Sequence, residues 1–346
     1  MMHVPKAYLL VCALVLFAVS NISFAFDALP EKPPVPKDNP MTEAKIALGK
    51  QLFFDPRLSK DGTVSCNSCH NVMASGTDNR PVSVGVDAQK GGRSAPTVWN
   101  AAFLTTQFWD GRAATLEDQA KGPILNPIEM GMPDPKTVVE RIKNVPGYVA
   151  QFKQVFGDND PVTYDNIAKA IASFERTLIT PNSAFDKYVK GDKTALSESA
   201  KRGMELVKSV GCTSCHTGPN FSGPASLQMG EGFFQKFPTF PGSEYEKKYN
   251  LMADTGLASV TKKDSDKHMW RVPTWRNVAV TAPYFHNGSV ATLDEAIRVM
   301  AKTQLNKELK DKEVTDIAEF LTSLTGEFPQ ISMPRLPETV GQSLVN

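Results

Sequence analysis

The sequence predicts an all-α protein made of two similar domains, and three observations carry that prediction. The motif Cys-x-x-Cys-His occurs twice, at Cys66-Asn67-Ser68-Cys69-His70 and at Cys212-Thr213-Ser214-Cys215-His216. The stretch 96–120 (PTVWNAAFLTTQFWDGRAATLEDQA) aligns without a gap to 273–297 (PTWRNVAVTAPYFHNGSVATLDEAI). Strand signals are weak, whereas several segments open on a Ser or Thr cap and continue with helical spacing. Each half therefore reads as helix, Cys-x-x-Cys-His, long loop, repeat and following helix. That order implies an internal duplication.

The elements follow in order. Residues 1–25 read as a signal peptide, with Lys6 as the charge, residues 7–19 as a short apolar core and Ser23-Phe24-Ala25 as a small-x-small cleavage site. The apolar run is too short for a comfortable membrane span. Cys12 lies within it, and a lipoprotein anchor does not fit. Residues 26–180 form the expected first domain. Its first helix, 42–54 (TEAKIALGKQLFF), leads into the first motif. Further helices are expected at 115–120, 135–143 and 163–178. The boundary falls between Thr180-Pro181 and Lys193. Residues 181–328 form the second domain, with helices at 197–207, 292–302 and 310–324. The tail, 329–346, is long for a loose end and is expected to pack back on the first domain.

Composition narrows the function. The chain has 38 basic and 37 acidic side chains, a net charge of +1. Nucleic-acid binding needs a basic footprint, so it is not expected. No other apolar stretch is long enough to span a bilayer. About 320 residues remain after the signal peptide, enough for two ordinary domains.

Cys-x-x-Cys-His is the attachment pattern of a c-type haem: two thiols form thioethers, and the adjacent His lies under the iron. Cys66, Cys69 and His70 would hold one haem, and Cys212, Cys215 and His216 the other. The motifs lie too far apart in sequence to close around one zinc ion. With residues 1–25 removed, every Cys belongs to a motif, so a structural disulfide would cost a haem. Haem attachment and export together point to the periplasm.

The pieces FFDPRLS (53–59), APTVWN (95–100), QFWDGRA (107–113), TAPYFHNG (281–288) and LTGEFP (324–329), with both motifs, resemble the bacterial di-haem cytochrome c peroxidases, a family that includes the MauG-like enzymes. The resemblance covers nearly the whole mature chain. It implies reduction of hydrogen peroxide to water, with electrons from a small soluble cytochrome c or cupredoxin. It also implies a homodimer and one calcium ion between the two haem domains.

The resemblance assigns residues as well. Glu129 aligns with the family's catalytic Glu, Gln119 with a distal Gln that orients peroxide, and Trp109 with a tryptophan between the haems. Met300 aligns with the distal ligand of the second haem. Met at helical spacing is otherwise a common core residue, but His/Met ligation would suit an electron-storing iron because it raises the potential. In the repeat, Trp109 falls opposite His286, which is either a neighbour of the second haem or a structural residue. The calcium positions fall on Ser94, Thr281 and Pro283, with Ser94 standing where the family usually carries Asn.

One departure matters. The position of the family's distal His falls on Val86, with Asp87 beside it, and no histidine is available on that loop. The first iron is then either open, the favoured reading, or capped by Met73, Met130 or Met132. Two alternatives to the peroxidase remain for the chain. An electron-transfer relay would need both irons closed. MauG-like oxidation of a partner protein is disfavoured, since that group typically has Tyr where Met300 stands.

Overall fold

The computed structural model describes residues 26–341 and 343–345. The expected signal peptide, 1–25, lies outside the described residues. In chain order the elements are α1 (Glu43–Phe54), α2 (Cys66–Cys69), α3 (Leu116–Leu125), α4 (Pro135–Lys143), α5 (Pro146–Phe156), α6 (Tyr164–Glu175), α7 (Ala184–Val189), α8 (Glu198–Val210), β1 (Phe234–Lys236), α9 (Glu244–Lys248), α10 (Ala258–Thr261), β2 (Met269–Arg271), α11 (Leu293–Leu305) and α12 (Asp311–Thr322). The protein is mostly helical. Its one sheet among the described residues is the antiparallel pair β1–β2, in register Gln235 to Trp270.

Side-chain caps set the starts of the principal helices. Thr42, Thr115, Thr163, Ser197 and Thr292 each accept the backbone N–H three residues on. Helix α6 stops three residues short of the expected 178. Leu178 O instead accepts the Asn100 N–H at 2.8 Å, and Thr180 N–H donates to Asn100 Oδ1 at 2.9 Å. These bonds need the chain to leave the helix.

Five helices were not expected: the short α2, α9 and α10, and the two longer ones, α5 and α7. Helix α5 opens on Pro146 in its first turn, where a missing N–H costs nothing. Helix α7 lies inside the supposed boundary. Ser183 and Asp186 form its capping box, and Phe185 is fully buried.

The two largest hydrophobic clusters lie one in each half. One gathers α1, α4, α5 and α6 around Phe53, Trp99, Tyr148 and Phe174. The other gathers α7, α8 and α12 around Phe185, Phe221 and Phe320. Each contains one close helix crossing. A Cβ on Gly49 would lie 1.8 Å from Ala170 O, and one on Gly203 would lie 1.9 Å from Asp316 O. Only glycine lets these backbones touch.

Both ends of the described chain pack on the half distant from them in sequence. Phe26 packs on Phe185, Phe221 and Phe320, and Leu29 N–H donates to Asp186 Oδ1 at 2.9 Å. The aromatic at 26 thus finds its apolar partners in the second half. The tail runs over the first half. Arg57 Nη1 donates to Pro337 O at 2.9 Å, and Ile331 and Leu344 pack against the first cluster.

The two repeated stretches share unusual backbone. Asn100 and Asn277 both have positive φ (63° and 61°), as do Phe108 and Phe285 (67° and 70°). The bridges Gln107–Ala113 and Tyr284–Val290 occupy equivalent positions. Both asparagine side chains donate to Thr180 Oγ1, at 2.8 and 2.9 Å. Thr180 therefore ties the two stretches together at a buried point between the halves.

Candidate active site: two cavities that share a wall

The first motif is a four-residue helix opened by Ser65, whose N–H is received by Ser68 Oγ at 3.0 Å. It presents Cys66, Cys69 and His70 to a cavity of about 590 Å3. His70 Nδ1 donates to Pro96 O at 2.9 Å. That bond fixes the tautomer and leaves Nε2 as the free lone pair. Burial lowers the His70 pKa and raises those of Cys66 and Cys69. Burial thus favours a neutral imidazole and disfavours thiolates at this site.

The second motif opens on a cavity of about 450 Å3. His216 Nδ1 donates to Phe221 O at 3.0 Å, and its ring stacks on Trp275 at 4.4 Å. Burial pushes its pKa down to about 4. Both volumes fall within the roughly 300–1,000 Å3 of cofactor pockets. Two thiols and one oriented, neutral imidazole at each cavity fit a covalently held haem. No cluster of three or more His, Cys, Asp or Glu suited to a metal ion occurs among the described residues.

The first cavity carries several polar and charged groups on its remaining walls. Glu129, Gln119, Arg112 and Glu175 all line it. Glu129 sits on a turn closed by the Gly131 N–H to Asn126 O bond of 2.8 Å, and its Oε1 receives Asn126 Nδ2 at 3.0 Å. Burial raises the Glu129 pKa, while Arg112 pulls against that rise.

The loop before it is locked to the same turn. Val86 N–H donates to Glu129 O at 3.0 Å, and a Cβ on Gly85 would lie 1.9 Å from Ile128 O. The Val86 side chain turns into the first core, 1 % exposed, and does not line the cavity. Asp87 points to solvent, 3.6 Å from Lys60. Of the three candidate methionines, Met73 is exposed and Met132 belongs to the core. Neither lines the cavity. Met130 does, from a buried position in the core.

The second cavity is aromatic and aliphatic, and Met300 of α11 lines it. No Asp or Glu lines it among the described residues. His286 is there too, stacked on Trp270 at 4.2 Å, its pKa pushed down to about 4 by burial. Its Nε2 has no partner among the described residues.

Ser94, Ala95, Pro96, Thr97 and Trp109 line both cavities and so form the wall between them. Trp109 Nε1 donates to Ser94 O at 2.8 Å, which fixes the indole in that wall. Ser94, Thr281 and Pro283 all border the second cavity, and Ser94 N–H donates to His286 O at 2.8 Å. The sequence did not single out Arg93. It bridges Asp254 (2.7 and 2.9 Å) and Asp110 (2.5 Å) and lies 5.0 Å over the Trp270 ring, pinning the halves beside the wall. Its partners are non-local, and no motif marks them. Glu175 was missed too, although Ile171 one turn earlier faces the same cavity.

The family model described as di-haem cytochrome c peroxidase matches residues 43–194. The cytochrome c551 peroxidase of Pseudomonas aeruginosa is 43% identical over 316 residues, 91% of this chain and 88% of the relative. That of Nitrosomonas europaea is 44% identical over 324 residues, 93% and 91%. The crystal structure of a MauG-like protein associated with microbial copper homeostasis superposes with a TM-score of 0.75 at 32% identity, covering 86% of this chain and 95% of that one. With two haem-attachment motifs opening on two cavities, and with relatives matched along nine-tenths of its length, the chain belongs to the di-haem cytochrome c peroxidase family.

Proposed function

We propose that this protein reduces hydrogen peroxide to water in the periplasm, with electrons delivered singly by a small soluble c-type cytochrome or cupredoxin. The observation that carries this reading is the company of His70: Glu129 and Gln119 share its cavity, and the loop that could cap the iron turns Val86 into the core. The first haem is accordingly read as open. The second is read as closed by His216 and Met300. The relatives named cytochrome c551 peroxidases support a c-type cytochrome as donor.

Reduction of one peroxide takes two electrons and two protons and yields two waters. The haems supply the electrons and the binding position for peroxide. Glu129 takes the proton from the near oxygen of peroxide and returns it to the far one, so that the far oxygen leaves as water. Asn126 orients the carboxylate, and the Gln119 amide holds peroxide by hydrogen bonding. Arg112 favours the charged carboxylate that accepts the first proton. Trp109, in the shared wall, shortens the insulating gap between the haems. A plain relay is disfavoured, since two closed irons would leave Glu129 and Gln119 without a task.

The halves, 26–180 and 181–328, descend from an internal duplication, which the matched backbone of the two stretches supports. Backbone oxygens at Ser94, Thr281 and Pro283 hold one calcium ion, an arrangement that suits its preference for several oxygens. The chain is exported by residues 1–25 and works as a homodimer.

Low-temperature EPR of the oxidised, haem-loaded protein tests the central reading. A high-spin ferric signal from one haem that shifts on adding cyanide supports an open first site. Two low-spin signals overturn it.

A further inference from the structure

Glu175 ends α6 and has no part in the chemistry above. It is 5 % exposed, yet its side chain lines the first cavity. Its Oε2 has no hydrogen-bond partner among the described residues. The adjacent Arg176 gives it no hydrogen bond, donating instead to Glu117 at 2.6 and 3.0 Å, and its charge offsets only part of the effect of burial. Glu117, on α3, also accepts from Asn39 at 2.7 Å. Lys45 of α1 is committed to Asn39 Oδ1 and Pro40 O. On the α2 side Cys66 and Cys69 line the same cavity, and among charges Glu175 acts most strongly on the Cys66 thiol. The cavity is also lined by His70, Glu129, Arg112, Asp110, Arg93 and Asp254, of which Arg112 and Arg93 both bond Asp110 and Arg93 also bonds Asp254.

A buried carboxylate without a partner is costly, so the group stays neutral where nothing compensates it. Burial pushes its pKa up to about 8. Removing an electron from a haem in this cavity adds a positive charge in a low-dielectric space. A positive neighbour favours the ionised carboxyl.

We propose that Glu175 is a redox-linked proton site of the first haem, protonated while that haem is reduced and ionised when it is oxidised. On oxidation one electron leaves the haem and one proton leaves Glu175 for water, so the charge inside the cavity is conserved. On reduction both return. A proton is thereby stored beside a reaction that consumes protons and electrons in equal number. The inference rests on the first cavity holding a haem, not on the role of Glu129.

The test is a redox titration of the holoprotein across neutral pH, following each haem separately, in wild type and Glu175→Gln. In wild type the first haem's potential should fall as pH rises. The limit is a tenfold change in equilibrium constant per pH unit, about 59 mV for a one-electron couple. In Glu175→Gln that dependence should flatten. The second haem, whose cavity has no acid among its lining residues, should not respond to the substitution. A first-haem slope that is equal in both proteins, or absent from wild type, overturns the proposal. Should the variant fail to take up haem, redox-difference infrared spectroscopy of glutamate-labelled wild type decides. A protonated-carboxyl band should be lost on oxidation, and its absence overturns the proposal. Neither measurement uses peroxide, so failure here is separable from failure of the peroxidase reading.

Discussion

The two cavities are framed alike and furnished differently. Each has a Cys-x-x-Cys-His turn, a histidine oriented by a backbone carbonyl, and a flanking stretch with the same positive-φ residues. The first is lined by Glu129, Glu175, Asp110 and two arginines. The second is lined by Trp270, Trp275, Phe285 and Met300, with Arg271 as its only charged residue among the described lining. At equivalent positions, Val98 stands where Trp275 stacks on His216, and Trp109 where His286 lies. One backbone frame thus supports two environments. Polar groups suit proton movement at a reacting site, and an apolar, sulfur-bearing cavity suits storage of an electron.

The sharpest way to break this contrast is Glu129→Gln. Peroxide turnover should fall by about 10²–10⁴, the usual contribution of a positioned acid–base group. The absorption spectra of both haems should stay nearly unchanged. Unaltered turnover would remove Glu129 from the chemistry.

Met300→His addresses the other cavity. The second haem's potential should drop substantially, within the ~0.8 V over which axial ligands act, while the first haem's stays put. A second-haem potential that does not move would mean that Met300 is not its ligand.

The helix crossings offer a stability comparison. Gly49→Ala and Gly203→Ala each force a methyl into a carbonyl, at 1.8 and 1.9 Å. Each should cost about 1–3 kcal/mol or more in denaturant titrations, with the loss showing first in the haem spectrum of the affected half. Equal disturbance of both haems by either change would count against independent cores.

Val86→His probes the loop. Because position 86 faces the core, the new imidazole should be buried without a partner, costing about 1–3 kcal/mol, and the first haem should stay high-spin by EPR. A conversion to low spin would show that the loop can swing and cap the iron.

The smallest effect is acid-dependent. Arg202, with Lys312 and Ser199, holds the Asp316 carboxyl below its ordinary range. A lowered folded-state pKa gives stability that is present above the unfolded value, about 3.9, and lost as pH falls through the lowered one. The α8–α12 pair should therefore loosen in strong acid, and Asp316→Asn should blunt that dependence in circular-dichroism titrations. The α1–α6 crossing has Ala170 at its contact and lacks this sensitivity there.

Local rules made much of this legible. The haem motifs are contiguous in sequence, and Thr42, Thr115, Thr163, Ser197 and Thr292 act on N–H groups three residues away, so a short window suffices to read them. Helix α7 is too short to show a periodicity of its own, and burial of Phe185 against Phe221 and Phe320 anchors it. Helix α5 escaped because Pro146 reads as a breaker until it is seen in the first turn.

By itself the sequence determined the two attachment sites, the principal helices and the repeated frame, since each depends on residues close along the chain. Only the tertiary structure decided that Trp109 stands in a wall common to both cavities and that Val86 faces the core. It alone put Phe26 on the second half and left Glu175 in the first cavity without a hydrogen-bond partner among the described residues. Those facts depend on which surfaces meet across long sequence separations. Burial and the pairing of polar groups are properties of that meeting, not of any segment alone.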